Sequence, residues 1–404
     1  MDFARKLRAA PQGVKESSPR RHAGRMRSRA HPRPSTTLGT LAAVLAAAAC
    51  SNGPAVKVLA ANEVGTLRAS PLVLGRDGAY SSSVWGHDVW VFGDTFLTTA
   101  NVDGFNFVSN TFATSATDVD GGSLTLADRL DDAGAPDELI RPSDDELSFD
   151  DAHRGLDDGG CAATPCGGRW ATWPGAMVFD PADGGTALVF YSLISAAPGD
   201  FNFSGVGQAI GVWSDFNALP ERPVLNHCAG QPLALFCQNE PSFGTSAVEL
   251  EGQLYAFACD THGLSTACLL GRVPFSQALD RSAWQYWNGS GWTGDLSTAK
   301  SLFDGATILG VFFVPADQLW MTIYAEPLSN QVLYRTASKI TGPWSDSSSL
   351  FVPNRGDAGG GTYDALPHPE LAEAGGRIQY VTFSRPSGAG IFSSEFALVR
   401  VTLR

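Results

Sequence analysis

Residues 75–96 read GRDGAYSSSVWGHDVWVFGDTF, a stretch that contains two short strands and a reversal. Ala79 to Trp85 passes from small polar residues to an apolar end. Gly86-His87-Asp88 supplies turn chemistry, and the apolar run Val89 to Phe92 is stopped by Gly93-Asp94-Thr95. Glycine punctuates strands because it tolerates positive φ, and aspartate because its side chain bonds nearby amides. Antiparallel strands set the beginning of the first beside the end of the second. Asp77 and Asp94 are therefore expected on one edge of one sheet.

The same shape recurs along the chain. Trp173–Leu193, Ser242–Asp260, Ala306–Glu326 and Tyr363–Arg385 each read as strand, turn, strand, with turns at Asp180 to Gly185, Glu251-Gly252, Pro315 to Asp317 and Glu373 to Gly376. A third apolar segment follows each unit: Ser109–Thr117, Gln208–Ser214, Ala267–Val273, Gln331–Ala337 and Phe396–Leu403. The second strands end at Asp94, Leu193, Asp260, Glu326 and Ser384, spaced by 99 residues and then by 67, 66 and 58. The long first interval holds an acidic insert at about 118–168. Five matched antiparallel units predict an all-β fold, a five-bladed β-propeller over residues 59–404, in preference to a two-sheet sandwich. The last unit shows no fourth strand after Leu403, and Val56–Ala60 (VKVLA) is the segment available to close the ring.

Composition agrees with many short strands. The 404 residues include 44 Gly and 24 Pro with only 17% charged, and no long stretch has a helical apolar period. Residues 1–34 carry a net charge of +8, which leaves −21 on the remainder. An acidic body without a basic patch excludes nucleic acid as a partner, since phosphates demand clustered Lys and Arg. A neutral glycan meets no such barrier.

The first fifty residues have the layout of an export leader, with a basic region at Arg25 to Arg33 and a twelve-residue apolar run, Leu38 to Ala49. The run is short for a membrane span. Ala47-Ala48-Ala49-Cys50 resembles the lipobox of bacterial lipoproteins, which implies a leader over 1–49, lipidation at Cys50 and a tether over 50–58; ordinary secretory cleavage nearby is the alternative. Met26 opens a leader of conventional length. The other six cysteines fall in close pairs, Cys161/Cys166, Cys228/Cys237 and Cys259/Cys268. Six cysteines allow fifteen pairings, of which the local one is simplest, and disulfides persist in an oxidising compartment. Zinc spacing is absent, and the acidic DDELSFDD (Asp144–Asp151) and LDDGG (Leu156–Gly160) runs lack the alternation of a calcium loop, so no metal or cofactor is expected.

In a propeller, the start of each first strand and the end of each second share one face. That face collects Asp77, Tyr80 and Asp94; Trp173; Glu240 and Asp260; Asp304 and Glu326; and Tyr363, Asp364, His368 and Arg385. Carboxylates converging with aromatic rings suit a sugar cleft, where rings stack on C–H faces and paired acids perform acid/base chemistry on a glycosidic bond. Asp77, Asp94 and Glu240 are the catalytic candidates. Tyr80, Trp173, Asp304, Tyr363, Asp364, His368 and Arg385 are the candidates for binding substrate, with Arg385 expected to hold one carboxylate ionised. No Gly-x-Ser-x-Gly or phosphate-cradling glycine loop occurs.

The Gly-x-Asp segment at Gly75, the FGDT strand end (Phe92–Thr95), RTASKITGPWS (Arg335–Ser345) and HPEL (His368–Leu371) resemble a bacterial propeller family first known as a domain of unknown function, over roughly Gly75 to Arg404. Some members of that family are assigned as endo-acting D-arabinan hydrolases. The resemblance implies that Asp77 and Asp94 are the catalytic carboxylates. The acidic insert and the three cysteine pairs depart from the family pattern. The expected protein is an exported, monomeric glycoside hydrolase acting on a polysaccharide or envelope glycan; the alternative is a non-catalytic surface propeller that binds glycan or protein.

Overall fold

The computed structural model describes residues 56–404 apart from 117–118, 120–122, 156–159, 183–184, 200–201, 264, 357–358 and 389–392. The leader, Met26, Cys50 and most of the tether lie outside the described residues, as does most of LDDGG.

The chain opens with β1 (Val58–Arg68) and β2 (Val73–Arg76). The hairpin at the heart of the sequence is β3 (Tyr80–Val84) and β4 (His87–Phe92). Its loop is the two-residue turn Trp85-Gly86, both at positive φ, so His87 and Asp88 belong to the strand and not to the turn. Two positive φ values in a two-residue loop match the right-handed twist of the flanking strands, and glycine supplies the second without strain. The turn between the first two strands of the third unit, Glu251-Gly252, has the same two positive φ values.

After β4 come β5 (Thr95–Leu97), β6 (Phe107–Val108), β7 (Thr111–Ser115) and β8 (Leu124–Asp128). The order β3-β4-β7-β8 is a four-stranded antiparallel meander, so the expected insert begins by supplying this unit's fourth strand. Its remainder carries α1 (Asp144–His153), which starts at a capping box: Ser143 accepts from Glu146 N and Glu146 reaches back to Ser143 N. The DDELSFDD run is thus a helix whose acidic first turn faces the positive end of the helix dipole.

The second unit is β9 (Arg169–Asp180), β10 (Thr186–Ala196), β11 (Phe203–Trp213) and β12 (Phe236–Cys237). The third is β13 (Ser246–Leu250), β14 (Gln253–His262) and β15 (Ser265–Pro274), extended by β16 (Gln285–Trp287) and β17 (Trp292–Thr293), with β18 (Phe303–Asp304) pairing to β15. The fourth is β19 (Gly310–Val314), β20 (Leu319–Ala325), β21 (Val332–Ala337) and β22 (Ser348–Phe351). The fifth is β23 (Tyr363–Pro367), β24 (Ile378–Pro386) and β25 (Ser394–Leu403), and β1 pairs antiparallel with β25 from Val58↔Leu403 to Thr66↔Ala397.

The fold is therefore all-β and propeller-like, with one α-helix among the described residues. The sheets do not number five. Leu67 and Arg68 of β1 pair parallel with Leu124 and Thr125 of β8, which fuses the first and last meanders into one eight-stranded sheet. Among the described residues the sheets of four or more strands are therefore four, with β2-β5-β6 as a separate three-stranded sheet.

The core lies between meanders. Val89, Val91 and Phe112 pack on Met177, Val189 and Trp213; Phe190 and Phe236 on Phe243 and Trp284; Phe257 and Leu270 on Trp320 and Tyr324; Met321 and Ile323 on Val381 and Phe383; and Phe396 and Leu398 return to Trp90 and Phe92. Each meander thus buries one face against the one before it and the other against the one after. The disulfides are Cys161–Cys166, Cys228–Cys237 and Cys259–Cys268, the local pairing expected from spacing.

Candidate active site

The innermost strands β3, β9, β13, β19 and β23 line an axial channel of about 400 Å³. Neither Asp77, which precedes β3, nor Asp94, which follows β4, is among the residues that line this channel. Their backbones are bonded directly: Asp77 N donates to Asp94 O at 3.1 Å, and Gly93 N to Asp77 O at 2.7 Å. A Cβ at Gly93 would lie 3.8 Å from Cβ of Asp77, so the strand end passes close beneath this carboxylate.

Each carboxylate has its own partners. Arg169 Nη2 donates to both oxygens of Asp94, at 3.0 and 2.9 Å, and Trp173 Nε1 donates to Oδ1 at 2.9 Å. Both donors come from the start of β9. Tyr363, from the start of β23, donates its hydroxyl to Asp77 Oδ1 at 2.6 Å. Gly78 N donates to Asp364 Oδ2 at 3.1 Å, and Asp364 holds this position with φ of 53°. Positive φ is strained for a residue with a Cβ, and such strain concentrates at functional sites.

Burial is the main cause of the electrostatics. It pushes the Asp77 carboxyl up, opposed by the Tyr363 hydroxyl and reinforced by the charge of Asp94. It pushes Asp94 up too, against the Arg169 cation and the Trp173 bond. Asp364 is pushed up to about 7, chiefly by burial and further by Asp77. Half-buried Tyr80 has its phenol raised well above its usual range, by burial first and then by the charge of Asp364. Of these three carboxyl groups Asp94 is the one paired with a cation, and Asp364 is the one raised to near neutrality.

Aromatic surface flanks the pair. Trp173 meets Phe203 edge to face at 4.8 Å, and Phe203 and Tyr363 remain 47% and 40% exposed. On the other side, Arg169 lies over Phe107, which stacks on Phe96.

The other expected residues bond to partners outside this group. Glu240 accepts from Arg281 Nη2 at 2.7 Å and from Cys237 N at 2.8 Å, so both of its oxygens are engaged in a turn. Asp260 receives Ser242 N, and the exposed Asp304 receives the Ser265 hydroxyl. Arg385 pairs with Glu63 and Glu395, so the carboxylates it holds belong to β1 and β25 and not to the site. His368 is fully buried, bonded to Ser81 Oγ at 2.5 Å and Thr382 Oγ1 at 2.8 Å, and burial lowers it to about 3, leaving a neutral ring. Ser81 also bonds Glu370, whose carboxyl burial raises to about 7. Ser81 and Glu370 line the axial channel.

Sequence reading passed over Arg169, Ser81 and Glu370. Arg169 stands just beyond the last cysteine of the insert, where only its position directly before the second unit's first strand marks it. The insert is built into the site: Asp150 of α1 accepts from Trp170 N at 2.7 Å, and the Cys161–Cys166 loop packs on α1 through His153 and Pro165 O. One donor set of metal-ligating type occurs among the described residues, His227, Cys228, Cys237 and Glu240, with its atoms within 4.8 Å. Both sulfurs are joined in a disulfide, which removes the thiolates a metal would need.

Residues 212–387 match the model of a family described as Domain of unknown function (DUF4185). The matched span holds Tyr363 and Asp364 but not Asp77, Asp94 or Arg169. No curated protein matches the sequence. Among solved structures, the chain is similar to a candidate hydrolase from Bacteroides ovatus ATCC 8483, at 14% identity and TM-score 0.52, over 84% of this chain and 87% of that one. It is similar also to a family 43 arabinoxylan arabinofuranohydrolase from Bacillus subtilis, at 14% identity and TM-score 0.46, over 82% of this chain and 64% of that one. A family 117 glycoside hydrolase from Zobellia galactanivorans is similar at 9% identity and TM-score 0.46, over 86% and 90%. At such identities the likeness is one of fold alone.

Proposed function

We propose that this protein is a glycoside hydrolase in which Asp77 and Asp94 are the paired carboxylates. The observation that carries the reading is their asymmetry: adjacent carboxylates, one bonded to a cation and one only to a neutral phenol. Asp94 is the group that stays ionised beside Arg169, and it activates water or attacks the anomeric carbon. Asp77, pushed up by burial and by the charge of Asp94, is the group assigned to give a proton to the leaving oxygen. Phe203, Trp173 and Tyr363 offer faces for uncharged sugar rings, and the acidic body suits a neutral polysaccharide such as an arabinan.

We read the meanders as five blades, with the eight-stranded sheet counted as the first and fifth joined at the β1–β8 seam. The protein is taken to be exported as a monomer and anchored through Cys50, a reading supported by the leader pattern and by three disulfides. The test is release of new reducing ends from arabinans and envelope polysaccharides. Release that disappears in Asp94→Asn, with folding and glycan binding intact, supports the hydrolase. Glycan retained by both proteins with no release from either returns the function to a binding propeller.

A further inference from the structure

Glu138 belongs to the acidic insert yet is only 7% exposed. The Ser109 hydroxyl donates to its Oε1 at 3.1 Å, and the guanidinium of nearby Arg141 is taken by Asp137. A glutamate buried without a bonded cation is rare.

Ser109 stands against the site. It follows Val108, which pairs with Thr95, so Ser109 is level with Asp94 one step beyond the β5–β6 ladder. Its hydroxyl also lies 3.2 Å from Thr172 Oγ1. Thr172 precedes Trp173, whose indole donates to Asp94. The next two residues are tied in the same way. Asn110 Nδ2 donates to Thr172 Oγ1 at 3.0 Å, and Thr111 Oγ1 lies 3.0 Å from Thr95 Oγ1. All of these hydroxyl and amide side chains are buried.

The count of protons couples the two ends of this network. Thr172 places its own hydroxyl proton on Ile140 O at 2.9 Å, so toward Ser109 its oxygen can only accept. Ser109 has one proton and two acceptors within reach, Glu138 Oε1 and Thr172 Oγ1. A neutral Glu138 leaves the two in competition. An ionised one draws the proton into a charge-assisted bond, about twice as strong as a neutral one, and Thr172 loses it.

We propose that Glu138 is a positioning residue of the site, setting through Ser109 and Thr172 the bond that the Trp173 indole makes to Asp94. This role rests on the reading of Asp94 as an active-site carboxylate, and its test needs no substrate.

The test is the Nε1–H resonance of Trp173 in the whole protein, recognised by its loss in Trp173→Phe and followed against pH. Burial raises Glu138 to about 8, and the charges of Asp103 and Asp137 add to the rise. Those two and Arg141 are the charged groups that face it, with Asp94 and Arg169 beyond Ser109. The wild-type resonance is expected to show a step near pH 8 that is lost in Glu138→Gln, which keeps an acceptor and cannot ionise. Steps from Asp77, Asp94 and Asp364 are common to both proteins and drop out of the difference. Ser109→Ala keeps the charge and cuts the path, so the step should be lost there too, and this variant decides the matter should Glu138→Gln fail to fold. A step that survives in Glu138→Gln belongs to another group. One that survives in Ser109→Ala is the bare field of the charge. Either overturns the role, as does a wild-type resonance that stays flat through this range. Because no glycan enters the measurement, a failure to find hydrolysis of any polysaccharide bears on the proposed function alone.

Discussion

The Tyr363 hydroxyl meets Oδ1 of Asp77 at 2.6 Å, so the last meander supplies a donor to a carboxylate held by the first. Its bond lowers Asp77 against the upward push of burial. Tyr363→Phe removes that opposition, and the Asp77 carboxyl rises further. If Asp77 is the acid, the alkaline limb of the kcat/KM profile moves to higher pH while its height falls about tenfold. An unmoved alkaline limb in Tyr363→Phe would assign the proton to another group.

Arg169→Gln tests the opposite member. Loss of the cation raises Asp94, so the acidic limb moves to higher pH, and activity falls about 10²-fold. Opposite limbs responding to the two variants is the signature of the assigned roles. Movement of the same limb by both contradicts it.

Asp150 accepts from Trp170 N next to Arg169, and in the proposed site it acts by positioning. Asp150→Ala frees Trp170 N, beside Arg169, and is expected to lower kcat about fivefold with KM little changed. Asp150→Asn keeps an acceptor oxygen and should restore most of the rate. Equal loss in both variants would tie the effect to the charge of Asp150 and not to its bond.

Glu240 gives the contrasting expectation. With both oxygens engaged by Arg281 and Cys237 N, Glu240→Gln should leave hydrolysis unchanged and lower unfolding stability by about 2 kcal/mol. A large rate loss with unchanged stability would restore Glu240 to the chemistry.

Stability against pH follows from the buried acids. Glu370 rises to about 7 in the folded protein, so its contribution is complete below its unfolded value and is lost as pH climbs through 7. Asp364 behaves in the same direction. His368, lowered to about 3, does the reverse: its contribution is present above its unfolded value and lost as pH falls. Denaturant unfolding should show Glu370→Gln escaping a loss of about 1 kcal/mol that the wild type suffers between about pH 6 and pH 9. Parallel curves for the two proteins would count against a buried, protonated Glu370.

Hairpins were legible because period and turn chemistry are local: the sequence placed Glu251-Gly252 as a turn and set Asp77 beside Asp94. It could not show that β8 lies inside what reads as an acidic insert, since Leu124–Asp128 is five residues between polar stretches and gains its strand character only by pairing with β7. Nor could it show that Glu240 is held by Arg281, or Arg385 by Glu63 and Glu395. A carboxylate at a strand start looks the same whether it faces substrate or an arginine forty residues on. Arg169 was missed for the converse reason, as its meaning lies wholly in a partner 75 residues earlier.

The pairing of Val58 with Leu403 bears on how the molecule is made. On synthesis from the N-terminus, β1 emerges first and finds its antiparallel neighbour only when nearly the whole chain has followed. The β1–β8 seam gives it two residues of parallel contact in the meantime. Assembly cannot then finish blade by blade behind the moving chain. The first strand waits as an exposed edge, and β25 acts as the latch, so loss of β25 would leave both β1 and β24 with an open edge.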